Sequence, residues 1–418
     1  MTVCSTAFTQ LGHAQAKSLG YPDLPIAVIP HPFGNRMRDE VRRLAAECVD
    51  NIAQLICGAG GSTSQPVVRA PAAARAALVE IPGDLDELNR FVHERRWGDG
   101  LPVVPPTQER VARMLSATCR APNEIIASIA PAFGAATVER IAINAVMAGC
   151  HPEYLPVLIA AAEAVAEPRF NLGSIQTTTN PVTVWLIVNG PIAAKLGINS
   201  GTNCLGPGNW ANATLGRAMR LVLQNVGGAL PGDIDRATQG QPGKYTFCCA
   251  ENEEASPWEP LHVERGFAPA CSTVTAAGVS GTLNMNTHAK DAGDLLRVIA
   301  DTMTYPAGSD FTFGGAPWLV LSPEHAQVLA RGGLSKSEVK RHLWEQARLL
   351  GSRLSAKDFA RVQTGRRADL GEIGPDTFIT ISAGPDDINL IVAGGAGTHS
   401  VYLPVSGHVR PVTREIAP

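Results

Sequence analysis

The chain has 418 residues, of which 45% are hydrophobic and 17% charged, and its formal net charge at pH 7 is −3. This composition excludes a disordered chain, which lacks the apolar residues that build a core. The near balance of charges argues against a nucleic-acid partner, since a nucleic-acid binder carries a basic face or stripe. No apolar run reaches the roughly 18 to 20 residues that span a bilayer, so no membrane partner is expected either.

The first residues predict a small module of one strand and one helix. A β-branched strand at Pro25–Pro30 precedes a helix from Arg38 to Cys57, whose apolar residues recur at helical spacing. The next segment is rich in Gly, Ser, Pro and Ala without periodicity, which is typical of a linker. The chain is thus divided into a small α/β module, a linker and a large α/β domain expected to be catalytic: 1–58, 59–76 and 77–418.

Strands and helices interleave in the large domain, which indicates α/β architecture. A strand at Ala77–Ile81 opens it, Thr107 is expected to cap a helix, and two helices broken at Gly149–Pro152 cover residues 137–166. The remaining predicted strands are Val182–Val188, Tyr245–Cys249, Trp318–Leu321, Phe378–Ile381 and Ile388–Ala393. The remaining predicted helices are 211–225, 290–303, 323–331 and 335–350. No repeat of about 20 to 50 residues is apparent.

Several familiar chemistries have no motif in this chain. It lacks the G-x-x-x-x-G-K-[ST] phosphate loop, the G-x-S-x-G nucleophile elbow, H-E-x-x-H and C-x-x-C, which argues against NTPases, α/β-hydrolases and zincins. The histidines and cysteines show no metal-ligand spacing, so no metal ligands are assigned. Nine cysteines in a long chain, and a start without the regions of a signal peptide, favour a reducing cytoplasm. No cofactor is indicated.

The most informative stretch is 197–217, where glycines and asparagines precede a helix that begins near Ala211. Glycines let the backbone approach a ligand, and the free amides of a helix start favour an anion. The alternative is a structural loop whose Asn and Gly residues form turns. A second polar cluster precedes the strand VTVWLIV, where hydroxyl and amide groups suit a small polar substrate, although threonine also favours strands. The predicted substrate-binding residues of the two stretches are Asn199, Asn203, Asn212, Arg217, Thr178 and Asn180.

The stretch 244–254 carries two adjacent thiols and then three carboxylates. Because neighbours on a strand face opposite sides, one of Cys248 and Cys249 is expected to pack in the core while the other lines a site. Glu251 is a candidate general base, the three acids are a candidate cation site, and a solvated turn is the alternative. Lys244, at the start of the stretch, is assigned to substrate binding.

Two further positions are candidates because of where they lie along the chain. Cys150 precedes a helix start, a placement that can depress a thiol pKa. His399 and Ser400 follow a buried strand and a glycine-rich turn, and ligands of α/β proteins bind beyond the carboxyl ends of strands. His399 is therefore predicted to be an acid–base group and Ser400 a substrate ligand, with a structural turn as the alternative.

The opening residues Phe8, Gly20 and Leu24, the stretch IPHPFG and the helix EVRRLA resemble the small domain of UGSC-type selenoprotein-like proteins. That family is named for a selenocysteine/cysteine-Gly-Ser-Cys motif on a thioredoxin-like domain. The stretches RWGDGLPVVPPT, AENEE, SPEHA and VAGGAGTHS look like the partner domain of longer members. The resemblance implies a thiol or selenol redox site. This chain has no Gly-Ser-Cys motif, and only Cys4, the one thiol near its start, could inherit the redox role that the resemblance implies.

These observations together predict a small-molecule enzyme that acts on a compact polar or anionic substrate by thiol-dependent redox or lyase chemistry. Cys248 or Cys150 would be the reactive thiol, and His399 or Glu251 the proton carrier. The loops expected to form its pocket are 176–180, 197–217, 244–254 and 394–400. Two alternatives stay open: a metal-dependent hydrolase or hydratase that uses the 251–254 carboxylates, and a non-catalytic ligand-binding or assembly subunit. A homo-oligomer is expected.

Overall fold

The computed structural model describes residues 1–34, 36–58 and 75–417. Helices make up 43% of the described residues and strands 16%, and the two interleave throughout the large region, which confirms the predicted α/β class. Within these ranges no helix is both long enough and apolar enough to cross a membrane. Residues 59–74 of the predicted linker 59–76 lie outside the described residues.

The N-terminal module has two strands and two helices, namely β1 (Thr2–Ser5), α1 (Thr9–Ser18), β2 (Ile26–Ile29) and α2 (Arg38–Gly58). β2 and α2 are the predicted strand and helix, whereas β1 and α1 have no counterpart among the predicted elements. β1 and β2 pair in parallel. Only Ala16 and Ala27 are buried among the described residues of this module, so it has almost no core of its own. Gln15 and Ser18 hydrogen-bond it to the carbonyls of Pro131 and Ala132 in the large region.

The large region continues the alternation of helices and strands. Its helices are α3 (Leu85–Glu94), α4 (Gln108–Leu115), α5 (Val138–Ala148), α6 (Leu155–Ala166), α7 (Leu172–Thr177), α8 (Pro191–Lys195), α9 (Trp210–Asn225), α10 (Leu261–Glu264), α11 (Ala292–Met303), α12 (Ser309–Phe313), α13 (Pro323–Arg331), α14 (Lys336–Gln346), α15 (Ala356–Gly365) and α16 (Arg367–Leu370). Its strands are β3 (Ile125–Ile129), β4 (Gly134–Thr137), β5 (Thr183–Asn189), β6 (Cys248–Ala250), β7 (Thr273–Val279), β8 (Leu283–Asn286), β9 (Trp318–Leu321), β10 (Arg348–Leu350), β11 (Phe378–Thr380), β12 (Asn389–Val392), β13 (His399–Leu403) and β14 (Val412–Glu415).

Two four-stranded sheets lie face to face between layers of helices. The first sheet has the strand order β14-β7-β5-β6 and the second β12-β9-β13-β8. An apolar core that includes Trp185, Phe247 and Trp318 lies between the sheets. The outer face of the first sheet packs on α5, α6 and α9, and that of the second on α11, α13 and α14. The architecture is therefore four layers: helix, sheet, sheet, helix.

The sequence of β5 explains its place at the centre of this arrangement. Side chains alternate between the two faces of a strand, so Trp185 and Ile187 enter the core between the sheets while Leu186 and Val188 meet the helices. A strand covered on both faces has no solvent side that polar residues could occupy. This is why β5 reads as a continuous apolar run rather than as an alternating one.

The two sheets have the same strand arrangement. In each, a parallel pair (β5 with β6, β9 with β12) is extended by two antiparallel strands (β7 and β14, β13 and β8). β8 follows β7 along the chain but joins the second sheet, and β14 follows β13 but joins the first. The two halves of the large region have thus exchanged their last strands.

Short sequence patterns also recur at corresponding positions of the two halves. Trp185-Leu186-Ile187 in β5 matches Trp318-Leu319-Val320 in β9, and each strand is followed by a helix that begins with proline. Val279-Ser280-Gly281 at the end of β7 matches Val405-Ser406-Gly407 after β13. The rings of Trp185 and Trp318 are 5.3 Å apart, and Val279 forms a β-bridge with Val405. The large region therefore contains an internal repeat whose unit is longer than the repeats of solenoid proteins.

Some predicted elements differ from the structure. The strand predicted at Ala77–Ile81 is wrong, because this exposed segment pairs with no strand in the part of the chain that the structure describes. The predicted strand at Tyr245–Cys249 is reduced to β6, and the predicted helix 335–350 ends at Gln346, beyond which the chain enters β10. Thr107 caps α4 as predicted, since its side chain accepts a hydrogen bond from the amide of Arg110.

Candidate functional site

A cleft of about 620 Å³ lies beside α9, near the amino ends of β5 and β6. We call it the α9 cleft. The turn around Asp99, one face of α9 and the loop 231–245 form its walls. Its volume lies in the range of about 300 to 1,000 Å³ that small-molecule sites occupy. Its lining includes the charged residues Asp99, Arg220, Asp235 and Lys244.

The spacing of polar residues on α9 explains why this helix forms a wall of the cleft. Arg217, Arg220 and Gln224 are three and four residues apart, so they share one face of the helix. The opposite face is apolar and packs into the helical core with α5 and α6. Asn209 fixes the start of the helix, because its side chain accepts a hydrogen bond from the amide of Asn212.

The polar face of α9 holds the turn Trp97–Pro102 in place. Arg217 binds both carboxylate oxygens of Asp99, with Nε–Oδ2 at 2.7 Å and Nη2–Oδ1 at 2.9 Å, and Nη2 also donates to the carbonyls of Leu101 and Pro102. Gln224 donates to the carbonyls of Arg96 and Gly98. The sequence assigned Arg217 to substrate binding, but its guanidinium is bound to the protein in this structure.

Asp235 is shared by two cations of the α9 cleft. Lys244 Nζ is 2.7 Å from each oxygen of this carboxylate, and Arg220 Nη2 is 3.4 Å from Oδ2. All three side chains are largely buried. Burial lowers the pKa of both the Arg220 guanidinium and the Lys244 ammonium. One carboxylate therefore faces two desolvated cations, while the other acid of the cleft, Asp99, also acts on Arg220 but is itself paired with Arg217.

Gly216 allows the segment before β6 to approach α9. A methyl group at this position would overlap the backbone nitrogen of Phe247 and the hydroxyl of Thr246. We expect Gly216→Ala to lower the free energy of unfolding by about 1 to 3 kcal/mol, because neither backbone nor helix can give way without strain. Thermal unfolding measures the effect.

The matched control is Gly365→Ala, at a glycine that also lies in a helix but has open space around it. There we expect no loss, or a gain of about 0.4 to 1 kcal/mol from the reduced entropy of the unfolded chain. Equal stability of the two variants would contradict the close approach at Gly216.

A second polar cluster lies at the carboxyl ends of β5 and β6. It consists of Asn189, Glu251, Glu253, His262 and Thr273, and we call it the strand-end centre. Asn189 Nδ2 donates to Glu251 Oε2 at 2.6 Å and to Glu253 Oε1 at 2.9 Å. The amide of Leu261 donates to Glu251 Oε2 at 2.8 Å, and burial raises the pKa of Glu251.

Four atoms of the strand-end centre have no hydrogen-bond partner among the described residues, although their residues are at most 3% exposed. These atoms are Asn189 Oδ1, Glu251 Oε1, His262 Nδ1 and Thr273 Oγ1. Asn189 and Thr273 are directly opposite each other on β5 and β7, so their side chains share a face. Buried polar atoms are normally hydrogen-bonded, so a cluster of exceptions marks a site that a ligand can complete.

Of the candidate thiols, Cys248 is buried and Cys150 is half-buried. Cys150 donates to the carbonyl of Thr214, and burial raises its pKa to about 12. Burial also raises the pKa of Cys248, which packs in the helical core, whereas Cys249 packs between the sheets. Both faces of β6 are covered, so both thiols of this adjacent pair are buried, and a role of either in a site stays a prediction. The thiols of Cys249 and the buried Cys204 interact, which lowers the pKa of Cys204 and raises that of Cys249.

The predicted asparagines of the 197–217 loop bind the main chain of that loop. Asn212 accepts from the amide of Asn199 and donates to the carbonyls of Asn199 and Cys204. Asn199 binds Gly201 and Thr202, and Asn203, whose φ is +60°, donates to the carbonyl of Pro207. These contacts match the structural alternative, in which asparagine side chains stabilise turns.

The remaining candidates lie in separate places. The hydroxyl of Thr178 accepts a hydrogen bond from the amide of Asn180. The carbonyl of Thr179 accepts hydrogen bonds from the amide and hydroxyl of Thr238, in the loop 231–245 that forms one wall of the α9 cleft. His399 is exposed and bonds Asn284. Ser400 is buried, 2.7 Å from Nδ1 of His325.

Three of the four loops expected to form one pocket do meet, at the carboxyl ends of the strands. The amide of Ala250 bonds the carbonyl of Asn199, and the amide of Gly394 bonds that of Ser200. The segment from 176 to 180 and Lys244 lie instead at the opposite ends of β5 and β6. Of the predicted site residues, Lys244 lines the α9 cleft and Glu251 belongs to the strand-end centre, whereas the others line neither place.

Sequence reasoning missed the residues that complete these two places. Asp99, Arg220 and Asp235 belong to the α9 cleft, and Asn189, His262 and Thr273 to the strand-end centre. The signal for Arg220 was its helical spacing from Arg217, and that for Asn189 its place at the end of an apolar strand. Within the described ranges, no three Asp, Glu, His or Cys side chains are placed to hold a metal ion.

The comparisons with known proteins concern the first module. No curated protein and no solved structure matches the chain. No family model matches the chain beyond residue 58. The model described as the UGSC family matches residues 1–58, which confirms the resemblance of the N-terminal module to that family.

Proposed function

We propose that this protein is an enzyme that binds a compact anionic molecule in the α9 cleft and acts on it by proton transfer. The observation that supports the proposal is the sharing of Asp235 by Arg220 and Lys244. Two desolvated cations with one carboxylate between them favour a further negative group, such as a carboxylate or a phosphate. An anion bound there would pair with these two cations, which burial has separated from water.

Arg220 has the unused hydrogen-bonding capacity that such a ligand requires. Its guanidinium bonds the described residues only through Nη2, at 3.3 Å to the carbonyl of Ala229 and 3.4 Å to Asp235. Nε and Nη1 remain available on a side chain that lines the cleft. A guanidinium edge with two donors matches the geometry of a carboxylate or phosphate.

Lys244 is the group best suited to proton transfer. Burial lowers the pKa of its ammonium group, which is the direction that acid–base catalysis by a lysine requires. Tyr245 lines the same cleft and offers a hydroxyl group. No cysteine is among the described residues that line the cleft. These points favour acid–base lyase chemistry over thiol chemistry for a ligand bound there.

Binding can be tested with Trp97 fluorescence, since Trp97 adjoins Gly98 in the cleft wall. We expect inorganic phosphate, acetate or malonate to change this fluorescence, and Arg220→Met and Lys244→Met each to weaken binding about 10- to 100-fold. Lys195→Met, at an exposed lysine of α8, is the control and should bind as the wild type does. Unchanged affinity in both cleft variants would contradict the proposed anion site.

The variant Lys244→Arg distinguishes a role of Lys244 in proton transfer from a role in anion binding. Arginine keeps the positive charge but does not lose its proton in proteins. We expect this variant to retain anion affinity within a few-fold and to lose deuterium exchange from D2O into the bound molecule, measured by proton NMR. Exchange at the wild-type rate in the variant would refute the role of Lys244. If no bound anion exchanges or turns over in the wild type, the protein is a ligand-binding subunit.

A further inference from the structure

We infer that the strand-end centre is a binding site for a monovalent alkali cation, sodium or potassium. It lies beyond the carboxyl ends of the parallel strands β5 and β6, whereas the α9 cleft lies near their amino ends. The carboxyl ends of parallel strands are where α/β sheets bind ligands. This site and its ligand are independent of the function proposed for the α9 cleft.

The unpartnered atoms of the centre can all accept, which calls for a ligand that is positively charged. Asn189 presents Oδ1 as an acceptor because its Nδ2 group already donates to two carboxylates. Nε2 of His262 is 3.4 Å from the carbonyl of Pro269 and donates to it in the tautomer that leaves Nδ1 a lone pair. Glu251 Oε1 and Thr273 Oγ1 add two oxygens. Hard cations select such oxygen ligands.

The charges of the centre also favour a cation. No lysine or arginine among the described residues forms an ion pair with Glu251 or Glu253. The buried lysines nearby, Lys336 and Lys340, both bind Glu264 instead. Arg265 is directed at the hydroxyl of Thr413 and the amide oxygen of Asn389. Glu251 and the half-buried Glu253 therefore have no lysine or arginine bound to them among the described residues, although the charge of Lys336 acts on Glu251 and His262 Nδ1 lies 3.7 Å from Glu253 Oε1.

The internal repeat provides a comparison within the same molecule. In the second half, the polar residues at the end of β9 and the start of β13 form hydrogen bonds with one another or with nearby main chain. Ser400 Oγ accepts from the amide of Ser322 at 3.0 Å and lies 2.7 Å from His325 Nδ1, and His325 Nε2 is 3.1 Å from the carbonyl of Thr287. At the ends of β5 and β6 in the first half, by contrast, four buried polar atoms have no partner among the described residues.

The ligand set distinguishes an alkali ion from a transition metal. Zinc sites use three or four His, Cys, Asp or Glu ligands, and no such group occurs in the described part of the chain. The centre combines carboxylate with amide and hydroxyl oxygens. Neutral oxygens of this kind replace the hydration shell of potassium in selective protein sites.

The test is equilibrium dialysis of the full chain against rubidium, an analogue of potassium, and against sodium, with bound metal measured by mass spectrometry. We expect one ion per chain in the wild type and none in Glu251→Gln or Thr273→Val. Glu254→Gln, at an exposed neighbouring carboxylate, is the matched control and should bind as the wild type does. Retention of the ion in both centre variants, or binding of neither ion by the wild type, would overturn the inference.

Thermal unfolding provides a second readout that does not require the number of bound ions to be measured. At constant ionic strength, replacing choline chloride by 100 mM sodium or potassium chloride should raise the melting temperature of the wild type by about 2 °C for a dissociation constant of about 10 mM. The two centre variants should show no such difference between salts. A rise produced only by zinc or magnesium would overturn the assignment to an alkali ion.

Discussion

Replacing Asp235 with asparagine is expected to lower the free energy of unfolding by about 3 to 5 kcal/mol. The substitution keeps the shape of the side chain but removes the negative charge that Arg220 and Lys244 share. Two largely buried cations would then face each other without a counter-charge. Breaking a buried ion pair by removing one partner costs this much because the remaining charge is left uncompensated in a poorly polarisable environment.

The same variant should be rescued by an added anion. We expect inorganic phosphate to raise the melting temperature of Asp235→Asn more than that of the wild type, since phosphate can take the place of the missing carboxylate. Asp233→Asn is the control from the same loop. Asp233 pairs with Arg96 at the surface, so its loss should cost less than about 1 kcal/mol and show no such rescue. Equal stability and equal phosphate response of the two variants would contradict the charge distribution described for the cleft.

Asp310 is expected to give the protein a marked dependence of stability on pH. It is fully buried, its Oδ2 accepts from the hydroxyl of Tyr402 and its Oδ1 from the amide of Val405 at 3.3 Å. Burial raises the pKa of Asp310 from its ordinary value of 3.8 to about 7. The folded chain therefore holds this proton at pH values where the unfolded chain has released it.

The sign of the effect follows from this difference in bound protons. The stabilisation is complete below pH 4 and is lost as the pH rises through about 7, because the carboxyl must then ionise inside the core. A pKa difference of one corresponds to about 1.4 kcal/mol, so the loss between pH 4 and pH 8 amounts to about 4 kcal/mol. Asp310→Asn, which cannot ionise, should remove this dependence and be the more stable protein at pH 8.

Urea denaturation of both proteins between pH 4 and pH 8, followed by tryptophan fluorescence, measures the predicted difference. Asp301→Asn, at an exposed position of α11, is the control and should retain the pH dependence of the wild type. If Asp310→Asn has the same dependence as the wild type, the buried carboxyl does not carry the proton assigned to it.

The sequence predicts those elements whose signals are local. β9 was predicted over the same residues that form it, because WLVL is covered on both faces and so reads as an unbroken apolar run. The cap at Thr107 requires only its own side chain and the next turn. β7 and β14 have weaker signals, since TVTAAGV is rich in small residues and VTRE is half polar, and both depend on pairing with distant strands.

The residues of the candidate site likewise divide into those that a local sequence signal predicts and those that only the packing identifies. Arg217 and Lys244 were predicted from their loops, but their partners Asp99 and Asp235 are identified only once α9 and the loop 231–245 are placed against each other. Glu251 was predicted as a chemically active acid from its position after a strand. Its neighbours in the strand-end centre come from β5, β7 and α10, and no local pattern connects these segments. Long-range packing therefore decides which of the candidate residues act together.

The exchange of last strands between the two sheets constrains the order in which this chain can fold. β7 is synthesised well before its neighbour β14, and β8 before its neighbour β13. A chain leaving the ribosome thus presents open strand edges until residues 412–415 have emerged, and open edges invite pairing with other chains. We expect the nascent chain to need protection by chaperones until the second half is made, and separate expression of either half to yield aggregates rather than a folded sheet.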